Sequence, residues 1–262
     1  MSRKVSLLIR GNLVEREMPD AASEVLHRVP WGDPWTLFTP AYWVAQAWMS
    51  GIDLGPAGRY SVKHGIVGEL GFCMLGGYGI TAELATAAFE RCWQAGLFSR
   101  CETRPEAWAA ELSVPLLVGC RQIKYRYPNQ KSRFLAAAMQ YVQQNQLRLD
   151  SGLALREQLL NITGVGYKIA SWVARNVLDS DEIAILDIHI LRAGLLCGLF
   201  SPGQRVERHY KEMEARFLLF CEKLQIRPAA LDCLIWEGMR SAGPLPLRLL
   251  DPKPDKQMTL HF

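Results

Sequence analysis

The chain of 262 residues lacks any apolar run approaching the roughly 20 residues that span a bilayer. Its opening, MSRKVSLLIRGNL, is broken by Arg10 and Gly11 before a signal-type core can form. A soluble cytoplasmic protein is expected. Strong charge of one sign is also missing: 30 Lys+Arg against 26 Asp+Glu leave a formal +4, so a polyanionic partner would have to be held by local clusters. There is no Cys-x-x-Cys pair among the seven cysteines. An odd number without a secretory segment points to reduced thiols packed as small core residues, and away from a disulfide framework. No internal repeat and no strand–helix alternation is present, which excludes solenoids and parallel α/β folds.

What is present reads as mostly α. A hydrophobic content of 49% is that of a globular protein. Residues 1–66 read as an accessory arm, irregular or β-containing, with a short strand at Val5–Ile9. Within it TPAYWVAQAWMSG gives a helix with Thr39 as N-cap, Pro40 in the first turn and Gly51 past the end. From about Val67 the pattern is helical: GELGFCMLGG, then TAELATAAFERCWQAG with Thr81 as N-cap and Gly96 as stop, then RPEAWAAELSV, NQKSRFLAAAMQYVQQNQ and ALREQLLNI. Further helices are expected at 187–198, around 207–223 and near 228–240. The helical core is set at 67–250, with a hairpin region 155–178, and 251–262 is a tail.

Two glycines and a lysine stand out in NITGVGYKIASW. A dinucleotide fingerprint would need glycine at Ile169 and a preceding strand, and a phosphate loop would need Gly-Lys-Ser/Thr where the chain has Gly-Tyr-Lys-Ile. Both nucleotide-loop readings fail. What remains is helix, tight Gly164-Val165-Gly166 hairpin, helix. One reading is a plain turn whose Lys168 reaches out to water; the other is a grip for one backbone phosphate at the N-terminal N–H groups of the second helix. Asp187 lies 19 residues after Lys168. A helix from Lys168 to Leu178 travels roughly 15 Å, and eight extended residues cover up to about 26 Å on the return, so the carboxylate can come back to the amine. As N-cap of the helix from Ile188, Asp187 also has a purely structural use, about 1 kcal/mol. An amine and a carboxylate beside a phosphate grip suit displacement at a sugar C1′ through a Schiff base, with the amine kept neutral by burial in an apolar first turn.

ITGVGYKIASWVARNV, followed by IAILDIHILR, resembles the helix-hairpin-helix DNA glycosylases, and within them the 8-oxoguanine DNA glycosylase/AP lyases of the compact archaeal-type branch. ELGFCMLGG, YRYPNQKSRFLAAA and LDCLIWEGMRSAG extend the likeness over about 67–245, of which 159–192 is specific. The resemblance implies two helical subdomains with the active site in the cleft between them. It implies Lys168 as Schiff-base nucleophile, Asp187 as its electrostatic partner, and excision of oxidised guanine followed by β-elimination. Gly164, Val165 and Gly166 would grip the DNA, and the target base of a double-stranded partner would be flipped out. The four-cysteine iron–sulfur loop of some related glycosylases is lacking, since only Cys221 and Cys233 fall in that region. No metal or organic cofactor is called for, although the resemblance allows a monovalent cation held by hairpin carbonyls. A monomer is expected.

The segment CRQIKYRYPNQKSR, 120–133, carries Arg121, Lys124, Arg126, Lys131 and Arg133 with two tyrosines and no acid; Lys124, Arg126 and Lys131 are taken as DNA-backbone contacts. His189 is read as packed or capping. The chain departs from the family at Gly76-Gly77-Tyr78-Gly79, at Trp172, bulkier than the residue usual there, and in a tail running past the last helix. Trp172, Trp236 and Tyr78 are therefore candidates for the base pocket. A different modified purine or a deazapurine, in a bacterial defence system, is an alternative substrate. A binding or damage-sensing module without turnover is a third reading.

Overall fold

The computed structural model describes residues 2–9, 11–51, 61–77 and 79–251. In chain order the elements begin with strands β1 (Ser2–Ile9), β2 (Asn12–Pro19), β3 (Glu24–Leu26) and β4 (Val29–Pro30) and helix α1 (Pro40–Ser50). Next come α2 (Gly65–Leu75), α3 (Ala82–Gln94), α4 (Pro105–Ser113), β5 (Leu116–Val118), β6 (Arg121–Ile123), α5 (Pro128–Gln144), α6 (Gly152–Leu159) and α7 (Tyr167–Leu178). The last four are α8 (Ile188–Leu196), α9 (Val206–Leu224), α10 (Pro228–Ser241) and α11 (Leu245–Leu250). The fold is mostly helical, and among the described residues the strands form three separate two-stranded antiparallel pairs. Among the described residues no helix is long and apolar enough to cross a membrane.

Two compact units divide the chain, one made of Met1–Pro56 with Ala184–Phe262, the other of Ala57–Ile183. In the first, β1 and β2 pair from Ser2↔Pro19 to Ile9↔Asn12. The alternation that buries Val5 and Leu7 lays the hairpin on α1. Thr39 starts α1 by accepting the Tyr42 N–H at 3.1 Å, and Gly51, with φ 64°, ends it. Trp43 of α1 is fully buried and touches α10 so closely that a Cβ on Gly238 would sit 2.9 Å from its ring. Thus the N-terminal segment shares a core with the C-terminal helices, where the sequence reading set 1–66 apart as an arm. Residues 245–250, which the sequence reading left without structure, form a short helix on α8.

The second unit is contiguous. Leu70, Met74, Leu75, Phe89, Trp108, Leu112, Leu135, Met139, Leu155 and Val173 build one core from α2 to α7, each such side chain contributing about 1.5–3 kcal/mol by leaving water. Trp108 keeps its indole N–H satisfied by donating to the Glu102 carbonyl at 2.8 Å. The Glu102 carboxylate accepts from Arg100 at 3.0 Å and from Arg104 at 2.9 Å. Those two guanidinium groups hold it well below the usual carboxylate range. The β5–β6 hairpin was not anticipated: its strands are three residues each, too short to show alternation.

Candidate functional site

In the contiguous unit, α6 and α7 meet through the expected hairpin. Ile162 and Val165 are buried, and the Val165 N–H donates to the Ile162 carbonyl at 3.0 Å. The flanking glycines are there for different reasons. Gly164 has φ +87°, and a Cβ on it would lie 2.5 Å from the Phe134 ring, so backbone and packing both demand glycine. Gly166 has φ −102° and ψ 178°, open to any residue, with nothing within 4 Å of an added Cβ. No internal contact requires glycine at 166. It is exposed at the N-cap of α7, where no side chain caps the helix. The first-turn N–H groups of a helix have no intrahelical acceptor and carry the positive dipole end.

Lys168 follows in the first turn of α7. The expectation of a buried amine is not met: Lys168 is exposed, its Nζ 5.9 Å from the ring centroid of Trp172 one turn on. Position 168 lies beside the hairpin on the outward face, whereas Ala170, Val173 and Ala174 face the core. Trp172 is half-buried against that core with its Nε1 buried and unbonded, so within the protein it acts as a packing residue beside the lysine. Across from it on α2, burial pushes the Cys73 thiol far up, Glu69 adds to this, and Lys168 and Arg175 oppose it. Glu69 is itself buried, taking the Val62 N–H at 2.8 Å and the Asn176 amide at 3.0 Å, which ties α2 to α7.

The basic segment divides. Arg121, Lys124, Arg126 and Arg133 are exposed. Arg126 lies over the Tyr127 ring at 5.2 Å and passes against the backbone of Gly79, whose φ is +71°. Lys131, expected on DNA, turns inward: it donates to the carbonyls of Met74 and Gly76, the latter at 2.7 Å. Burial lowers its amine from the ordinary lysine value. With the Tyr125 hydroxyl on the Leu75 carbonyl at 2.5 Å, it satisfies the last carbonyls of α2, which a helix end leaves without partners. Lys131 is thus a helix cap. Tyr78 lies outside the described residues.

In the discontinuous unit Asp187 is the N-cap of α8, its Oδ1 taking the N–H groups of His189 at 2.8 Å and Ile190 at 3.1 Å. It is 9% exposed. His189 meets the Trp236 ring edge-on at 6.0 Å, a packed role as expected, and Arg240 covers the same indole at 5.2 Å. Trp236 of α10 is therefore half-buried between Arg240 and His189, the second residue after the aspartate in α8.

The family model described as 8-oxoguanine DNA glycosylase matches residues 58–226, a span that takes in the hairpin, Lys168 and Asp187. The chain belongs to the 8-oxoguanine DNA glycosylase family. The 8-oxoguanine DNA glycosylase/AP lyase of Metallosphaera sedula is 32% identical over 120 residues, 43% of this chain and 57% of that protein. The Fusobacterium nucleatum enzyme of the same name is 37% identical over 78 residues, 29% of this chain and 36% of that one. These matches thus span little more than a third to somewhat over half of the relatives' length. The solved 8-oxoguanine glycosylase/lyase of Methanocaldococcus jannaschii, in complex with a 15mer DNA containing 8-oxoguanine, is 25% identical. It covers 67% of this chain and 81% of that one, with a TM-score of 0.51.

Within this glycosylase fold, sequence reasoning missed two residues that bear on the aspartate. Tyr210 and Glu214 of α9 bond the backbone just before Asp187. The available signal was a tyrosine and a glutamate four apart among apolar positions of one helix face, which puts two polar groups on a buried surface.

Proposed function

We propose that the protein is a bifunctional DNA glycosylase/AP lyase that excises an oxidised purine of the 8-oxoguanine class from double-stranded DNA. One observation carries the reading: Gly166 is a glycine that nothing inside the protein demands, at the uncapped start of the helix that presents Lys168 to solvent. A backbone phosphate on that helix end accounts for it, because a side chain would hold the phosphate off. Lys168 then stands a few bonds from a sugar carbon. Its amine attacks C1′ and the N-glycosidic bond breaks with the electron pair leaving on the base; the C1′–O4′ bond then opens, O4′ taking a proton, to give the Schiff base, and loss of a C2′ proton drives the β-elimination that breaks the C3′–O bond. The role assigned to Asp187 is to stabilise the positive charge that develops on the sugar as the base departs.

A second reading is favoured by Trp172, whose ring stands 5.9 Å from the lysine amine. A bulky indole beside the lysine suits another modified purine. Borohydride trapping separates the readings. A cross-link to an 8-oxoguanine duplex that disappears in Lys168→Gln supports the first, and a cross-link formed only with other modified purines supports the second. Binding with neither cross-link nor base release would leave a damage-sensing module and overturn both.

A further inference from the structure

We infer that Tyr210 and Glu214 are positioning residues for Asp187, and the inference rests on the catalytic reading of that aspartate given above. Residues 184–186 are buried and belong to no strand, so no sheet ladder satisfies their backbone groups. α9 supplies what a neighbouring strand would. The Glu214 carboxylate accepts the Ala184 N–H at 2.9 Å. The Tyr210 hydroxyl accepts the Leu186 N–H at 3.1 Å and donates to the Ala184 carbonyl at 2.8 Å. Three bonds from two side chains thus fix the backbone up to the residue before Asp187.

The register of the clamp is set by a break in α9. His209 is non-helical, with φ −121° and ψ 24°, and its ring Nδ1 accepts the Arg205 N–H at 3.0 Å. Regular helix therefore runs on from Tyr210, and Tyr210 and Glu214 stand one turn apart on the buried face with Met213 and Phe217. Downstream, Asp187 is held by its own bonds to α8. The carboxylate is pinned from both sides. A hydroxyl and a carboxylate spent on a stretch only three residues long place the reacting group, since apolar side chains would bury the segment without fixing its path.

The test uses the full chain on an 8-oxoguanine duplex and on a duplex with a preformed abasic site. Tyr210→Phe and Glu214→Leu are expected to slow single-turnover base release about 10- to 100-fold, the range that a displacement near 1 Å produces. Affinity for the duplex and borohydride trapping at the abasic site, which needs the lysine and no base departure, should stay within about threefold. Glu214→Gln keeps an acceptor oxygen for the Ala184 N–H and should restore base release to within about threefold of the parent. Asp187→Asn, which still caps α8, is the control for the underlying reading. If Asp187→Asn abolishes base release while Tyr210→Phe and Glu214→Leu release base at the parent rate, the clamp is refuted and the aspartate stands. If Asp187→Asn itself releases base normally, the catalytic reading fails first. Equal loss of base release and abasic trapping in Tyr210→Phe, Glu214→Leu and Glu214→Gln would reduce the pair to general fold support and overturn the inference.

Discussion

Alanine at Gly166 and alanine at Gly164 should fail in opposite ways. At 166 the backbone, at φ −102° and ψ 178°, accepts any residue and a Cβ meets nothing within 4 Å. Replacement there removes unfolded-state freedom, worth about 0.4–1 kcal/mol, which offsets the roughly 0.5–1 kcal/mol that alanine loses against glycine at an N-cap. For a chain of this size the two leave Tm within about 2 °C of the parent. The same methyl stands where the phosphate is proposed to bind. Losing one hydrogen bond to a charged phosphate costs about 1.5–3 kcal/mol, or roughly 10- to 150-fold in Kd. At 164 nothing offsets the cost. A left-handed φ of +87° costs a side chain about 1–2 kcal/mol, and forcing a carbon to 2.5 Å from the Phe134 ring adds about 1–3 kcal/mol. Differential scanning calorimetry on both variants, with fluorescence anisotropy on a labelled duplex, reads the two effects apart. Gly166→Ala binding DNA like the parent would refute the phosphate grip, and Gly166→Ala melting as low as Gly164→Ala would refute the open space around residue 166.

Lys131→Met removes the amine from the Met74 and Gly76 carbonyls, and urea titration should show a loss of about 1.5–3 kcal/mol; an unchanged midpoint would sink the α2 cap. Lys124→Ala leaves stability unchanged and lowers the slope of log K against log salt by about 0.9 if the exposed amine meets a phosphate, whereas Lys131→Met leaves that slope alone. Glu102→Gln tests the ion cluster by pH. The folded carboxyl lies below its ordinary 4.5, so its contribution is complete above pH 4.5 and is lost as pH falls through the depressed value. The stability gap between parent and variant should therefore be widest at neutral pH and close on acidification, and a gap that is constant with pH would count against the ion pairs.

The signals that survived from sequence to structure were local ones. Thr39, Thr81 and Asp187 are N-caps as read, because a hydroxyl or carboxylate two or three residues ahead of an apolar helical pattern needs no tertiary context to find its N–H partner. The hairpin was legible for the same reason. What failed depended on distant chain. Lys131 sits in a run of cations that reads as a solvated face, and only the end of α2, more than fifty residues earlier, turns it inward. The exposure of Lys168 turns on which face of α7 meets the core, and one lysine among apolar neighbours does not state that by itself. The clamp on Asp187 joins positions 24 and 30 residues apart in sequence and has no local signature.

The division of the chain also sets an order of assembly on the ribosome. Residues 57–183 form one uninterrupted unit, whereas α1 emerges early and its partner α10 late. Trp43 meets Gly238 only after nearly 200 further residues have been made. At about 5–20 residues per second the apolar face of α1 waits roughly 10–40 s for its cover, a window in which a chaperone or the β1–β2 hairpin is its shelter. Truncation before α10 should therefore leave a nascent chain that aggregates through its N-terminal helix while its middle is already folded.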